Sequence, residues 1–131
     1  MNNIEIEKLI MTRLLTYPDL DKTRIQRVNI NFATPSTGMW IKIVIVGGGN
    51  FISGLADTPC TRETGVFYIM IYNRENNGTG VQKAYADNLG KHFAYYQSNQ
   101  LQLMTPSLVD VGFDPSVNAY QMNVVIPYRF N

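Results

Sequence analysis

The stretch Val66-Phe-Tyr-Ile-Met-Ile-Tyr72 decides the fold that the sequence predicts. Its β-branched and aromatic residues favour an extended strand. The residues Asn76-Asn-Gly-Thr-Gly80 that follow are typical of a turn. After this turn, side chains recur at the steps of one helical face, which predicts a helix. That face comprises Val81, Ala84, Tyr85, Leu89, His92, Phe93 and Tyr96.

Upstream of the strand, the sequence predicts a helix and then a hairpin. Residues 4–16 show apolar residues at helical spacing, and Pro18 ends that pattern. The polar segment Tyr17–Arg27 is interpreted as a linker. Val28–Phe32 and Met39–Val46 alternate in polarity around a turn, which predicts two strands of a hairpin.

The glycine-rich segment Gly47–Thr64 is predicted to be a long irregular loop after this hairpin. Downstream of the second helix, three further strands are expected, and Pro127 in the last one indicates a sheet edge or a strand end. They are Leu101–Met104, Leu108–Phe113 and Ala119–Phe130. This order predicts an α+β fold, a mostly antiparallel sheet with two helices packed on one face. The length of 131 residues suits a single domain over 1–131.

Composition favours an assembly and argues against several other classes. Hydrophobic residues make up 45% and charged residues 16% of the chain, whereas soluble domains carry about 25% charged residues. A surface poor in charge favours an oligomer, although a monomer with a neutral polar surface remains open. The net charge is +1 and the charges are spread along the chain, so specific nucleic-acid binding is not expected. Neither a secretory signal nor an apolar run long enough for a membrane span is recognised.

The apolar strand that runs into Gly47, Gly48 and Gly49 resembles the start of a dinucleotide-binding fold. The third small residue of that fingerprint is missing, and Pro59 would interrupt the required helix. A mobile loop is therefore the favoured interpretation, with a nucleotide-binding module as the alternative. The turn Gly78-Thr-Gly80 could seat an anion at a helix start, but an ordinary turn is the simpler interpretation.

No catalytic or metal centre is expected. Cys60 and His92 are the only residues of their types, which rules out a disulfide within the chain and a zinc site built from cysteines. A nucleophile pair of Cys60 and His92 is chemically possible, but nothing in the sequence brings the two together. The tyrosines lack interleaved cations, so packing explains them better than stacking on nucleic acid. We therefore expect neither an enzyme nor a cofactor.

The order and spacing of these segments resemble the small tail-terminator, or tail-completion, proteins of long-tailed phages. The most characteristic pieces are Thr61-Arg-Glu-Thr-Gly65 before the strand, Ala84-Tyr-Ala-Asp87 at the helix start and Ile126-Pro-Tyr-Arg-Phe130 at the end. The resemblance covers nearly the whole chain. It implies a structural virion protein of the tail or neck, made in the host bacterial cytoplasm.

The resemblance further implies a homo-hexameric ring that caps the tail tube, ends tail polymerisation and offers a surface for head joining. Its partners would be copies of itself, the major tail tube protein and a head-completion or connector protein, with no membrane involved. Another structural role in the neck, or as a minor tail protein, is the nearest alternative. The residues expected at protein interfaces are Asn50, Phe51, Ile52, Asp57, Arg62, Glu63, Arg74 and Glu75.

Overall fold

The computed structural model describes residues 3–18, 22–26, 32–52, 61–74, 79–98 and 100–130. Helix α1 (Asn3–Leu15) comes first, and a short 3₁₀ turn, Lys22–Arg24, leads into the first strand. The strands are β1 (Ile25–Gln26), β2 (Met39–Ile52), β3 (Thr61–Asn73), β4 (Gln97–Ser98), β5 (Leu101–Leu103), β6 (Ser107–Asp114) and β7 (Ala119–Phe130). Helix α2 (Gly80–Phe93) lies between β3 and β4.

All described strands belong to one sheet with the order β1-β2-β3-β7-β5-β4. Strand β6 pairs with the first part of β7, and β5 pairs with its last part. Every pairing is antiparallel except that of β1 with β2. The predicted α+β class with a mostly antiparallel sheet is therefore confirmed.

The two helices bury their apolar sides against one face of the sheet. Ile6, Ile10 and Leu14 lie at successive turns of α1 and are buried, as the amphipathic pattern predicted. They share one core with alternate residues of the three central strands, so the opposite face of those strands is not part of this core. The strand residues of the core include Ile41, Ile43, Phe67, Ile69, Ile71, Val124, Ile126, Tyr128 and Phe130. Full burial of such a side chain contributes about 1.5–3 kcal/mol.

The predicted apolar face of α2 is partly wrong. Leu89 and Phe93 are buried as expected, but Val81 is 56% exposed and Ala84 is also exposed. Gln82 is buried instead, and its side-chain amide donates to the backbone oxygens of Ile71 at 2.7 Å and Tyr120 at 3.0 Å. Those two hydrogen bonds remove much of the cost of burying an amide. The helix is therefore rotated from the face that hydropathy alone indicated.

The predicted loop Gly47–Thr64 is wrong at both of its ends. Strand β2 continues through the glycines to Ile52, and β3 resumes at Thr61, with a register shift between Gly47 and Gly49. The glycines thus lie inside a strand and not at a strand-to-helix turn, which removes the geometry that a dinucleotide site needs. Residues 53–60, between the two strands, lie outside the described part of the chain.

The predicted first hairpin can be checked only in part. Residues 28–31 of its first strand lie outside the described residues, and Phe32 is not in a strand. The segment 17–27 is not purely a linker, because Ile25 and Gln26 pair in parallel with Ile41 and Lys42 of β2. The antiparallel neighbour of β2 is β3.

Pro127 does not mark an edge, contrary to the prediction. It lies within β7 and pairs with Val66 of β3. Its carbonyl accepts a hydrogen bond from the Met104 amide at 3.0 Å. The proline nitrogen therefore faces the side where β5 has ended at Leu103 and β6 has not begun, so no strand pairing needs the missing N–H.

Candidate interaction surfaces

The structure brings five of the expected interface residues together at one end of the β2–β3 hairpin. Asn50 pairs with Glu63, and Phe51 pairs with Arg62, while Ile52 pairs with Thr61. Asp57 and Glu75 lie outside the described residues. Arg74 lies at the other end of β3, more than ten residues away from this group along the strand.

This end of the hairpin projects past the rest of the sheet. The last residue of β7, Phe130, pairs with Glu63, so only two strands continue beyond that row in the described residues. We call Asn50–Ile52 together with Thr61–Glu63 the hairpin arm. A two-stranded ribbon buries little of its own backbone. We therefore treat the arm as a candidate interaction surface.

The base of the arm is tightly packed. A Cβ atom on Gly65 would lie 2.6 Å from the Tyr128 hydroxyl and 2.6 Å from the Val46 carbonyl oxygen. Burial raises the pKa of Tyr128, and the charge of Glu63 adds to this. Arg129 donates from Nε to the Gln102 side-chain oxygen at 2.8 Å, and a second guanidinium nitrogen bonds the same oxygen. Two of the three segments that carry the family resemblance, Thr61–Gly65 and Ile126–Phe130, thus meet here.

Arg74 makes its contacts within the chain. Its Nε donates to the Pro35 carbonyl at 2.6 Å and its NH2 group to the Thr34 hydroxyl at 3.1 Å. The guanidinium also lies 4.8 Å from the centre of the Trp40 ring, which stacks on Tyr72 at 5.1 Å. Arg74 therefore fixes the turn before β2 against Trp40, which is a structural role that the sequence did not indicate.

A second candidate surface, β6, was not found from the sequence. Strand β6 pairs only with β7 among the described strands, so its other edge is open. Four of its side chains are exposed hydrophobics: Leu108 (37%), Val109 (47%), Val111 (51%) and Phe113 (59%). Exposed apolar side chains on an open edge strand are rare in monomers, because such edges promote association. The sequence showed a strand here but not that it would lie at an edge.

Carboxylates accompany these apolar residues on β6. The Tyr120 hydroxyl donates to Asp110 at 2.5 Å, and this hydrogen bond is the main reason that the pKa of Tyr120 is raised. Asp114 accepts from the Ser116 amide at 3.0 Å and from the Ser116 hydroxyl at 2.7 Å. Burial and then the charge of Asp114 raise the pKa of Tyr72.

A shallow groove runs between α2 and the beginning of β6. The groove is lined by Leu108 and Val124 of the sheet and, on the helix side, by Ala86, Asp87, Gly90, Lys91 and Ala94. Pro106 lies beside Gly90, where a Cβ would make ordinary van der Waals contact with the Pro106 ring at 3.5 Å. The groove extends the apolar surface of β6 towards the helix layer.

His92 links the C-terminal ends of α1 and α2 through hydrogen bonds. Its Nε2 lies 2.8 Å from the Arg13 carbonyl and 3.0 Å from the Thr16 hydroxyl. Arg13 donates back to the His92 carbonyl at 3.0 and 2.7 Å and lies over the Tyr96 ring. This reciprocal arrangement satisfies carbonyls at both helix ends. It indicates a structural histidine; Cys60 lies outside the described residues.

Two features are absent from the part of the chain that the structure describes. No group of three or more His, Cys, Asp or Glu side chains is placed to hold a metal ion within the part of the chain that the structure describes. Within the same residues, no helix is both long and apolar enough to cross a membrane.

Comparisons with known proteins give one family and one fold. Residues 5–128 match the family described as "Phage tail terminator protein". No curated protein matches the sequence. A solved structure superposes with a TM-score of 0.72 over 100% of this chain and 96% of its own, at 17% sequence identity. At that identity the likeness concerns the fold alone.

Proposed function

Because the chain belongs to the phage tail terminator family, we propose that it caps the finished tail tube as a ring of identical copies and offers the surface to which the head joins. As a member of this family, the chain is a structural protein of the phage tail and a virion component. The ring, the capping and the head joining are what we propose in addition.

One observation carries the proposal, namely that the family match spans almost the whole described fold, from α1 to β7. The structure supports it through two separate candidate surfaces, the hairpin arm and the open edge of β6. A ring subunit needs at least two surfaces, because a head-to-tail contact uses two different patches. The tail tube and the head-side partner need further surface.

The proposed partners are copies of this chain, the major tail tube protein and a head-completion or connector protein. The expected contact residues Asn50, Phe51, Ile52, Arg62 and Glu63 of the hairpin arm remain proposals. So do Asp57 and Glu75, which lie outside the described residues. Arg74 is the weakest of the set, because its guanidinium is engaged by Thr34, Pro35 and Trp40.

The test is electron microscopy of lysates from the parent phage with an early stop codon in this gene. A terminator role predicts overlong or irregular tails without heads, and these defects should disappear when the intact chain is supplied in the host. Tails of normal length would refute the proposal. Tailless heads would instead assign the protein to another neck role.

A further inference from the structure

We draw no further inference here: the strongest candidate, the open apolar edge of β6 with the groove that adjoins it beside α2, is a surface already described, and nothing in the described part of the chain shows what covers it.

Discussion

Gly65 shows how a single position ties the hairpin to the last strand. It lies directly across from Gly47 in the β2–β3 register and across from Tyr128 in the β3–β7 register. The Tyr128 ring therefore packs over a position that has no side chain. A methyl group there would meet both this ring and the Val46 carbonyl, and a backbone carbonyl cannot easily move aside.

We expect Gly65→Ala to lower the free energy of unfolding by about 1–3 kcal/mol, the usual cost of overpacking. The measurement is chemical denaturation of the purified protein. Gly47→Ala is the matched control, since a Cβ at Gly47 would have no neighbour within 4 Å. It should leave stability unchanged or raise it by about 0.4–1 kcal/mol through the less flexible unfolded chain. Equal losses for both variants would contradict the packing explanation.

The sequence did not predict the roles of residues whose side chains form hydrogen bonds with distant parts of the chain. Hydropathy predicted that Val81 would be buried and gave no sign that Gln82 would be. The burial of Gln82 depends on two sheet carbonyls that accept from its amide, and no sequence pattern predicts such acceptors. Arg74 was expected at an interface because it is charged and near a turn. Its real partners are about forty residues upstream, and proximity of that kind is invisible in a single sequence.

At the scale of elements, the helices and most strands could be predicted because their apolar periodicity is strong. The ends of β2 and β3 could not, since glycine usually weakens a strand. Here the pairing with β3 continues across the glycines and the register shift accommodates them. The open edge of β6 was missed for a different reason. Which strand lies outermost depends on topology, and alternation along one strand does not encode it.

The β6–β7 pair provides a prediction on pH. The hydrogen bond from Tyr120 to Asp110 raises the pKa of Tyr120 above 10.0 in the folded protein. A pKa raised on folding contributes stability below the unfolded value, and this contribution is lost as the pH rises through the folded value. We therefore expect this contribution to the stability of the β6–β7 pair to be lost in the alkaline range above about pH 10.

Asp110→Ala should bring the pKa of Tyr120 back towards its ordinary value, because both the hydrogen bond to Asp110 and the carboxylate charge are removed. NMR titration of the tyrosine ζ-carbons measures this directly. Tyr128 is the internal control: its pKa is raised by burial and by Glu63, so it should not respond. An unchanged Tyr120 titration in Asp110→Ala would show that neither the hydrogen bond to Asp110 nor its charge is the cause.

At the scale of the whole molecule, the sheet has two distinct edges and one end from which the hairpin arm projects. The order and spacing of the sequence segments identified the protein family. They did not predict where the sheet edges and the hairpin arm lie. A ring subunit that also meets a tube and a head needs surfaces pointing in different directions. The hairpin arm and the open edge of β6 are the two described surfaces that we propose for such contacts.

The final prediction compares Arg62 and Arg74, two arginines that were both predicted from the sequence to lie at protein interfaces. Arg62 is in the part of β3 that extends past β7, so Arg62→Glu should leave the thermal midpoint unchanged and impair assembly. Arg74→Glu should instead destabilise the fold, because it removes the hydrogen bonds to Thr34 and Pro35 and places a carboxylate beside their oxygens. Both variants are measured by thermal unfolding and by complementation of the stop-codon phage, with Arg62→Lys as the charge-retaining control. Normal tails with a folded Arg62→Glu protein would exclude this side chain from the partner contact. A loss of stability in that variant would mean that the arm is part of the folded core, and that the surface meeting the tube or the head lies elsewhere.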